Sequence, residues 1–200
     1  KYLILASVSS AFLLFGMGLI YLDTGSLEFT RIVLVLKSYD YSTPLLLTGF
    51  SMIMVGIGFK LALVPFHMWT PDVYHGAPVP VTTFIATVSK GAVMAVLLRF
   101  FFAIHGFRNH NFILLITVVA ILSMFVGNIL AIRQKNIKRI LAYSSISNMG
   151  YLLVTLLISN KDGIHAAVFY IVSYMITALG AFGVITLLSD RDNDSEKLDD

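Results

Sequence analysis

The chain has 200 residues, of which 58% are hydrophobic and 12% are charged, and its formal net charge is +3 at pH 7. Soluble domains carry about a quarter charged residues. Half that share, together with apolar runs of about twenty residues, excludes an ordinary soluble domain and indicates a membrane protein. Cysteine is absent, which excludes disulfides, thiolate metal sites and iron–sulfur ligation within these residues. The small, scattered positive charge gives no sign of nucleic-acid binding.

Six segments are apolar enough to span a bilayer, which takes about 20 residues of helix. The first is too long for the h-region of a signal peptide and is interpreted as a span. The connecting loops are short, and the period-2 alternation of a transmembrane barrel is missing. The sequence therefore predicts an all-α, polytopic transmembrane helical bundle. Its spans are Leu3–Leu22, Pro44–Val64, Val81–Phe102, Phe112–Ile132, Ile137–Ile158 and Ile164–Leu188.

The orientation follows from the positive charge of one loop, "RQKNIKR", which joins the fourth and fifth spans. Lysine and arginine in short loops favour the cytoplasmic side. Alternation then places Lys1, the Thr70–Pro80 loop and the acidic C-terminal stretch on that side as well. The loops Asp23–Thr43, His105–Asn111 and Asn160–Gly163 face outward. Because the chain starts at Lys1 without a methionine and ends in a polar stretch, we interpret it as an internal piece of a longer membrane protein.

Lys90 lies near the middle of the third span, in "VTTFIATVSKGAVMAVLLRF". A lysine at the centre of an isolated membrane helix costs roughly 3 kcal/mol on insertion scales, and Lys90 is too far from either end to snorkel. One interpretation is a structural pairing with a carboxylate. The other is a proton or ion relay, because burial disfavours the charged form of a lysine and allows it to exchange protons near neutral pH.

Lys60 and Pro65 lie close together at the end of the second span. Pro65 has no N–H to donate to the Leu61 carbonyl, and its ring crowds that carbonyl. Unpaired backbone is tolerated in lipid only against protein or a water-filled cavity, as in the discontinuous helices of transporters. We therefore predict non-helical backbone within Lys60–Phe66, with a plain proline kink as the alternative. His67 is either a proton carrier or a packing residue.

Several polar residues share the fifth span, in "LAYSSISNMGYLL". Small polar side chains commonly join membrane helices, and packing is the simpler interpretation. Each hydroxyl also donates and accepts, so a row of them can hold waters along a proton path. The candidates are Ser144, Ser145, Asn148 and Tyr151.

Acidic and metal-ligating side chains are scarce inside the spans. The carboxylates Asp23, Glu28, Asp40, Asp72 and Asp162 fall in loops or at their edges. A relay of two lysines without an intramembrane acid is incomplete, which favours a larger protein that supplies the rest. The histidines show no metal-ligand spacing, and no metal site is predicted.

Three stretches resemble one family: "GFKLALVPFHMWTPDVYHGAPVPVTTFIATVSK", "KRILAYSSISNMGYLL" and "SYMITALGAFGVITLL". They are similar to the antiporter-like membrane subunits of bacterial respiratory complex I (NADH:quinone oxidoreductase), and to its N-type subunits in particular. The similarity covers essentially the whole chain, and the run of lysine, proline, tryptophan, proline and aspartate is highly specific. Three positions depart from the family pattern: Asn148 stands where many relatives have a histidine, Thr177 where an asparagine is common, and His75 where a glutamate or glutamine is usual.

The resemblance implies an antiporter-like fold of inverted repeats, each with one broken helix. Residues 1–104 would end the first repeat, with Lys60 as its broken-helix lysine, near Pro65, and Lys90 as its connecting lysine. Residues 105–188 would begin the second repeat, and residues 189–200 would form a polar acidic loop. The family's glutamate would precede this chain, and its second broken-helix lysine would follow it.

For function, the resemblance implies a proton-translocating subunit of NADH:quinone oxidoreductase that relays protons through buried lysines and has no redox centre of its own. NADH, flavin, iron–sulfur clusters and quinone would bind elsewhere in the complex. The implied partners are other membrane subunits, including antiporter-like M-type and small K/J-type subunits, in the bacterial cytoplasmic (inner) membrane. The alternatives are a subunit of a multisubunit sodium/proton antiporter and a passive membrane scaffold whose lysines are paired for structure.

Overall fold

The computed structural model describes residues 2–38, 43–103, 110–158 and 161–188, and among these residues it contains helices and no strand. Lys1, most of the predicted loop at 105–111, Asn160 and the predicted acidic loop at 189–200 lie outside the described residues. The predicted boundary between the two repeats, at residues 104 and 105, lies outside them too.

Short turns of other helical types lie between some of the described helices. A π-helical turn at Ile85–Ser89 connects α5 to α6, and 3₁₀ turns occupy Phe66–Trp69 and Thr155–Leu157. The helices are α1 Tyr2–Thr24, α2 Phe29–Ser38, α3 Pro44–Leu61, α4 Thr70–Gly76, α5 Val79–Phe84, α6 Lys90–Ala103, α7 His110–Ile132, α8 Ile137–Val154 and α9 Lys161–Leu188.

Six helical stretches of the described residues are long and apolar enough to cross a membrane. The predicted bundle of six spans is therefore confirmed. The observed stretches are Tyr2–Thr24, Pro44–Gly76, Val79–Ala103, Phe112–Ile132, Ile137–Leu157 and Asp162–Leu188.

The second span is broken where the sequence predicts it. Helix α3 ends at Leu61, and Ala62 adopts left-handed backbone with φ 59°. The backbone stays non-helical up to Pro65, and a 3₁₀ turn begins at Phe66. Regular helix through this segment would have contradicted the prediction. The discontinuous interpretation is confirmed over the plain kink.

Polar groups of the protein stabilise this break. The Val64 N–H donates to the Ser123 hydroxyl of α7 at 3.1 Å. The Trp69 indole N–H donates to the Phe59 carbonyl at 3.0 Å, across the break. Ser123 is fully buried. Irregular backbone at membrane depth requires such partners, because lipid offers none.

Two segments predicted as loops contain helices. The predicted loop Asp23–Thr43 holds α2, whose buried Ile32 and Leu36 pack into the core. The predicted loop Thr70–Pro80 holds α4, and its Pro71 lies in the first turn. Proline is compatible with a first turn because its missing N–H has no helical partner there. Both helices are too short to span a membrane, so a search for apolar segments of about twenty residues does not detect them.

Glycines bring two pairs of spans into close contact. A Cβ at Gly16 of α1 would lie 2.7 Å from the Gly49 carbonyl oxygen of α3. A Cβ at Gly127 of α7 would lie 2.7 Å from the Ser147 nitrogen of α8. Small residues allow membrane helices to approach backbone to backbone. Helix α8 also packs against α4 and α9, and these three helices surround the end of α6 that carries Lys90.

Candidate functional site around Lys90

Lys90 is enclosed by three neighbouring helices and is only 1% exposed. Its ammonium nitrogen donates to the Ser145 hydroxyl of α8 at 2.7 Å. The same nitrogen lies 5.7 Å from the centroid of the Tyr74 ring of α4, a cation–π distance. The described part of the chain offers Lys90 a hydroxyl and a ring face, and no carboxylate. The predicted burial of Lys90 is confirmed.

A directed chain of hydrogen bonds leads away from Lys90. The Ser145 hydroxyl lies 2.7 Å from the Tyr174 hydroxyl of α9, which donates to the Ala86 carbonyl at 3.2 Å. A carbonyl only accepts, so Tyr174 is the donor there and must accept from Ser145. Ser145 in turn accepts from Lys90. The three bonds therefore all point the same way, from the ammonium to the backbone of the π turn.

A cavity of about 240 Å³, lined by both polar and apolar side chains, opens beside this chain, between α8 and α9. A single water needs only about 10–15 Å³ of such volume, so the cavity has room for several. At its wall, the Tyr170 hydroxyl donates to the Asn148 side-chain oxygen at 2.7 Å, and the Asn148 amide donates to the Ser144 carbonyl at 2.8 Å. Its polar lining consists of Ser144, Ser145, Asn148, Tyr170, Ser173, Tyr174 and Thr177.

The structure therefore unites four of the predicted site residues. Lys90 and Ser145 are hydrogen-bonded, and Ser144 and Asn148 line the adjoining cavity. Among the described residues no group of three metal-ligating side chains occurs. The site consists of hydroxyls, an amide and one lysine, of which the lysine and the hydroxyls can pass protons.

Lys60 does not join this site. It was expected to be buried, but its side chain is exposed. It stands at the edge of a largely apolar groove of about 350 Å³ formed by α1, α2, α3 and α6. Ile57 and Leu61 form the buried face of α3, and Lys60 is one residue, or about 100°, away from Leu61 on the helix. Among the described residues no hydrogen bond links Lys60 to Lys90, and a path between them through waters and hydroxyls stays a prediction.

Three other predicted residues have different surroundings. Tyr151 is 45% exposed and accepts a hydrogen bond from the Asn128 amide of α7 at 3.4 Å, so it lies apart from the Lys90 chain. Pro65 is exposed within the break. His67 is buried, and its Nδ1 has no hydrogen-bond partner among the described residues.

The tyrosines are the functional candidates that the sequence analysis missed. Tyr74, Tyr170 and Tyr174 were not singled out, because aromatic residues are common throughout membrane spans. A signal for two of them exists in α9, where polar residues recur at positions i, i+3, i+4 and i+7, the spacing of one helix face. These positions are Tyr170, Ser173, Tyr174 and Thr177.

Comparison with known families identifies the chain. A family model described as "NADH:quinone oxidoreductase/Mrp antiporter, TM" matches residues 1–200. The chain belongs to this family. Subunit N of NADH-quinone oxidoreductase from Methylococcus capsulatus is 48% identical over 100% of this chain and 41% of the relative. The same subunit from Nitrosospira multiformis is 50% identical over 96% of this chain and 38% of the relative. The chain thus spans about two fifths of these relatives.

The fold leads to the same family. Respiratory complex I from Thermus thermophilus with bound aureothin contains a chain that matches 93% of this one with a TM-score of 0.76 and 39% identity, over 39% of its own length. The resemblance to the antiporter-like membrane subunits is therefore confirmed. With its six spans, the chain is part of a multi-pass membrane protein of the kind found in the bacterial inner membrane.

Proposed function

We propose that the chain is the central part of a proton-translocating N subunit of NADH:quinone oxidoreductase, and that it passes protons through Lys90. The observation that carries the proposal is the directed chain from Lys90 through Ser145 to Tyr174. A lysine with no carboxylate among its described neighbours is easily neutralised when buried. A structural ion pair would need the partner that these residues lack.

The geometry supports a stepwise transfer along this chain. When the Lys90 ammonium loses a proton, an N–H bond breaks and the Ser145 oxygen gains that proton. Ser145 gives its own proton to the Tyr174 oxygen. The Tyr174 hydroxyl then turns from the Ala86 carbonyl towards the cavity between α8 and α9 and releases its proton to a water there. Each hydroxyl ends with one proton, and Lys90 ends as a neutral amine. Rotation of the two hydroxyls then restores the starting direction.

The rest of the enzyme would supply the driving reaction. In this proposal, NADH, flavin, iron–sulfur clusters and quinone bind to other parts of the complex, and the translocase activity belongs to the whole assembly. The surfaces of the bundle contact lipid and neighbouring membrane subunits, including the M-type and small K/J-type subunits. Subunit N relatives support this assignment by their names.

Lys60 has a second place in the proposal. An exposed lysine at membrane depth is costly, so we propose that residues outside the described chain cover it and supply a carboxylate. It would then exchange protons at the break formed around Pro65. His67 lies just past that break, in the 3₁₀ turn Phe66–Trp69.

The test is proton pumping by inverted membrane vesicles of the bacterium that makes the intact complex. Lys90→Met should assemble and oxidise NADH, but proton transfer through this subunit should slow at least about tenfold, the effect of about 1.4 kcal/mol. Lys90→Arg should fail as well, because a guanidinium does not release its proton. Lys135→Met is the control, since Lys135 is exposed in the charged loop. Unchanged pumping in Lys90→Met would leave only the scaffold interpretation.

A sodium/proton antiporter subunit is the second candidate, because the matching family includes both classes. The same vesicles separate the two. Proton uptake driven by NADH that persists without sodium supports the complex I subunit. Transport that requires sodium and proceeds without NADH supports the antiporter.

A further inference from the structure

Three buried polar atoms between the helix break and the end of α4 have no partner at hydrogen-bonding distance within the described chain. They are His67 Nδ1, Thr70 Oγ1 and Tyr74 Oη. The side chains are 7%, 0% and 0% exposed. Buried polar atoms almost always have a partner, and one without a partner is costly. Three of them within eight residues of one segment require an explanation.

The three residues lie on a single face. His67 and Thr70 are three residues apart where the 3₁₀ turn Phe66–Trp69 meets α4, and side chains three apart eclipse in a 3₁₀ helix. Tyr74 follows Thr70 by four residues of α-helix, a rotation of about 40°. The rise from His67 to Tyr74 is about 12 Å. The residues therefore form a row that begins at the helix break and ends at Tyr74.

The end of this row meets Lys90. The Lys90 nitrogen lies 5.7 Å from the centre of the Tyr74 ring. An ammonium group has three N–H donors, and Ser145 takes one of them. The two remaining donors have no described partner. Lys90 therefore contacts Tyr74, the last residue of the row, on one side, and donates a hydrogen bond to Ser145 on the other side.

The surroundings of the row are otherwise apolar. Tyr74 packs with Ala142 and Ile146 of α8 in one buried cluster, and its ring lies 6.0 Å from the ring of Phe182. Other buried hydroxyls nearby are satisfied: Thr82 donates to the Pro78 carbonyl at 3.3 Å, and Thr87 donates to the Thr83 carbonyl at 2.6 Å. The row is therefore set apart from its neighbours by the absence of internal partners among the described residues.

We propose that His67, Thr70 and Tyr74 form a water-binding row, and that this row delivers protons along α4 to Lys90. Each of the three side chains both donates and accepts hydrogen bonds when neutral, and a buried water needs two to four polar partners. A proton that arrives at Tyr74 passes to the neutral Lys90 amine, which becomes an ammonium. The delivery of protons rests on the proposed function, whereas the hydration of the row does not.

Hydration is measured by cysteine reactivity in the intact complex, because these 200 residues contain no cysteine. Thr70→Cys and, as the control, Thr82→Cys are treated in membranes with a small cationic methanethiosulfonate. Only a hydrated thiol ionises and reacts readily. Modification of Thr70→Cys should be at least about tenfold faster than that of Thr82→Cys. The unsubstituted complex gives the background from cysteines elsewhere. Equal protection of both positions would show a dry row and overturn the proposal.

Proton delivery is measured with matched variants in the same pumping assay. Thr70→Val and Tyr74→Phe keep the shape of the side chain and remove the hydroxyl. We expect both to assemble and to pump fewer protons per NADH, while Thr70→Ser and the control Thr82→Val retain the parental ratio. Parental pumping in both Thr70→Val and Tyr74→Phe would remove the row from the proton path.

The two assays also separate this inference from the proposed function. If Lys90→Met stops pumping while Thr70→Cys stays unmodified, the function stands and the row is wrong. If Thr70→Cys reacts quickly while Lys90→Met pumps normally, the row is hydrated but carries no protons to Lys90. The second result overturns the delivery of protons and the function together.

Discussion

The two membrane lysines of this chain have opposite surroundings. Lys90 is enclosed by α4, α8 and α9, with a hydroxyl acceptor at 2.7 Å and a ring beneath it. Lys60 stands exposed at the rim of a groove lined almost entirely by apolar side chains. Both lie well inside apolar runs of sequence. A position inside an apolar run therefore does not determine whether a lysine is buried and hydrogen-bonded. Its burial and its partners depend on the helix face on which it lies and on the groups opposite that face.

The same difference extends to the helices around each lysine. On the Lys60 side, α1 and α3 meet through glycines, with Gly16 against Gly49, and leave little space for polar side chains. On the Lys90 side, α8 and α9 stand apart around a cavity of about 240 Å³ whose wall carries several hydroxyls and an amide. The first region is held together by close backbone contact, and the second by hydrogen bonds between side chains.

The largest effect is expected from Gly16→Val, which disrupts the Lys60 side alone. The new Cβ would lie 2.7 Å from the Gly49 carbonyl oxygen and 3.0 Å from the Ile53 nitrogen, and neither backbone atom can move aside easily. We expect destabilisation of about 3 kcal/mol or more, measured as loss of the subunit from the complex on native gels. Gly18→Val is the control on the same helix, because no atom of another described helix lies within 4 Å of its Cβ position. Equal assembly of both variants would contradict the close α1–α3 contact.

An intermediate effect is expected from Ser145→Ala, which disrupts the Lys90 side. It removes the described acceptor of the Lys90 ammonium, and a hydrogen bond to a charged group contributes about 1.5–3 kcal/mol. Thermal stability of the complex and pumping should both fall. Ser147→Ala is the control, because that buried hydroxyl donates to its own helix, at the Ser144 carbonyl. Adding Lys90→Met to Ser145→Ala should restore stability but not pumping, since no buried charge then lacks an acceptor. Failure of this rescue would show that Ser145 acts by packing.

The smallest effect is expected from the ion pair that joins α4 to α8 at their ends. Arg139 donates to Asp72 at 2.6 Å, and the two side chains are 36% and 40% exposed. Such half-exposed pairs contribute no more than about 1 kcal/mol. A double-mutant cycle with Asp72→Asn and Arg139→Gln should give a coupling within that limit, and salt should reduce it. A coupling as large as the effect of Ser145→Ala would mean that this pair, rather than the buried chain, holds α4 against α8.

The sequence allows the spans and the break to be predicted because both depend on local chemistry. Apolar length locates the six spans, and the missing N–H of Pro65 locates the interruption. Lys90 is recognisable because a charge inside an apolar run is conspicuous. The short helices α2 and α4 are not recognisable in the same way, because neither contains enough apolar residues to register as a span.

The partners of Lys90 depend on how helices far apart in sequence are rotated against one another. Ser145 is 55 residues from Lys90 and Tyr174 is 29 residues from Ser145, so no local pattern links them. The role of Tyr74 is difficult to predict for a further reason. A tyrosine in an apolar segment is expected to pack through its ring, and the sequence does not indicate whether its hydroxyl has a partner. The exposure of Lys60 is likewise a property of packing, since Leu61, one residue later, is fully buried.

The π turn at Ile85–Ser89 affects how the two helices that meet at the Lys90–Ser145 hydrogen bond tolerate the deletion of a single residue. It closes with i→i+5 bonds, one residue more than a turn of α-helix. Loss of one codon within it can be absorbed by closing the turn as ordinary α-helix, which leaves Lys90 facing Ser145. Helix α8 is regular from Ile137 to Val154, so the loss of one codon between Ile137 and Ser145 would turn Ser145 by about 100°. The two helices that meet at this hydrogen bond therefore differ in their tolerance of single-codon deletions.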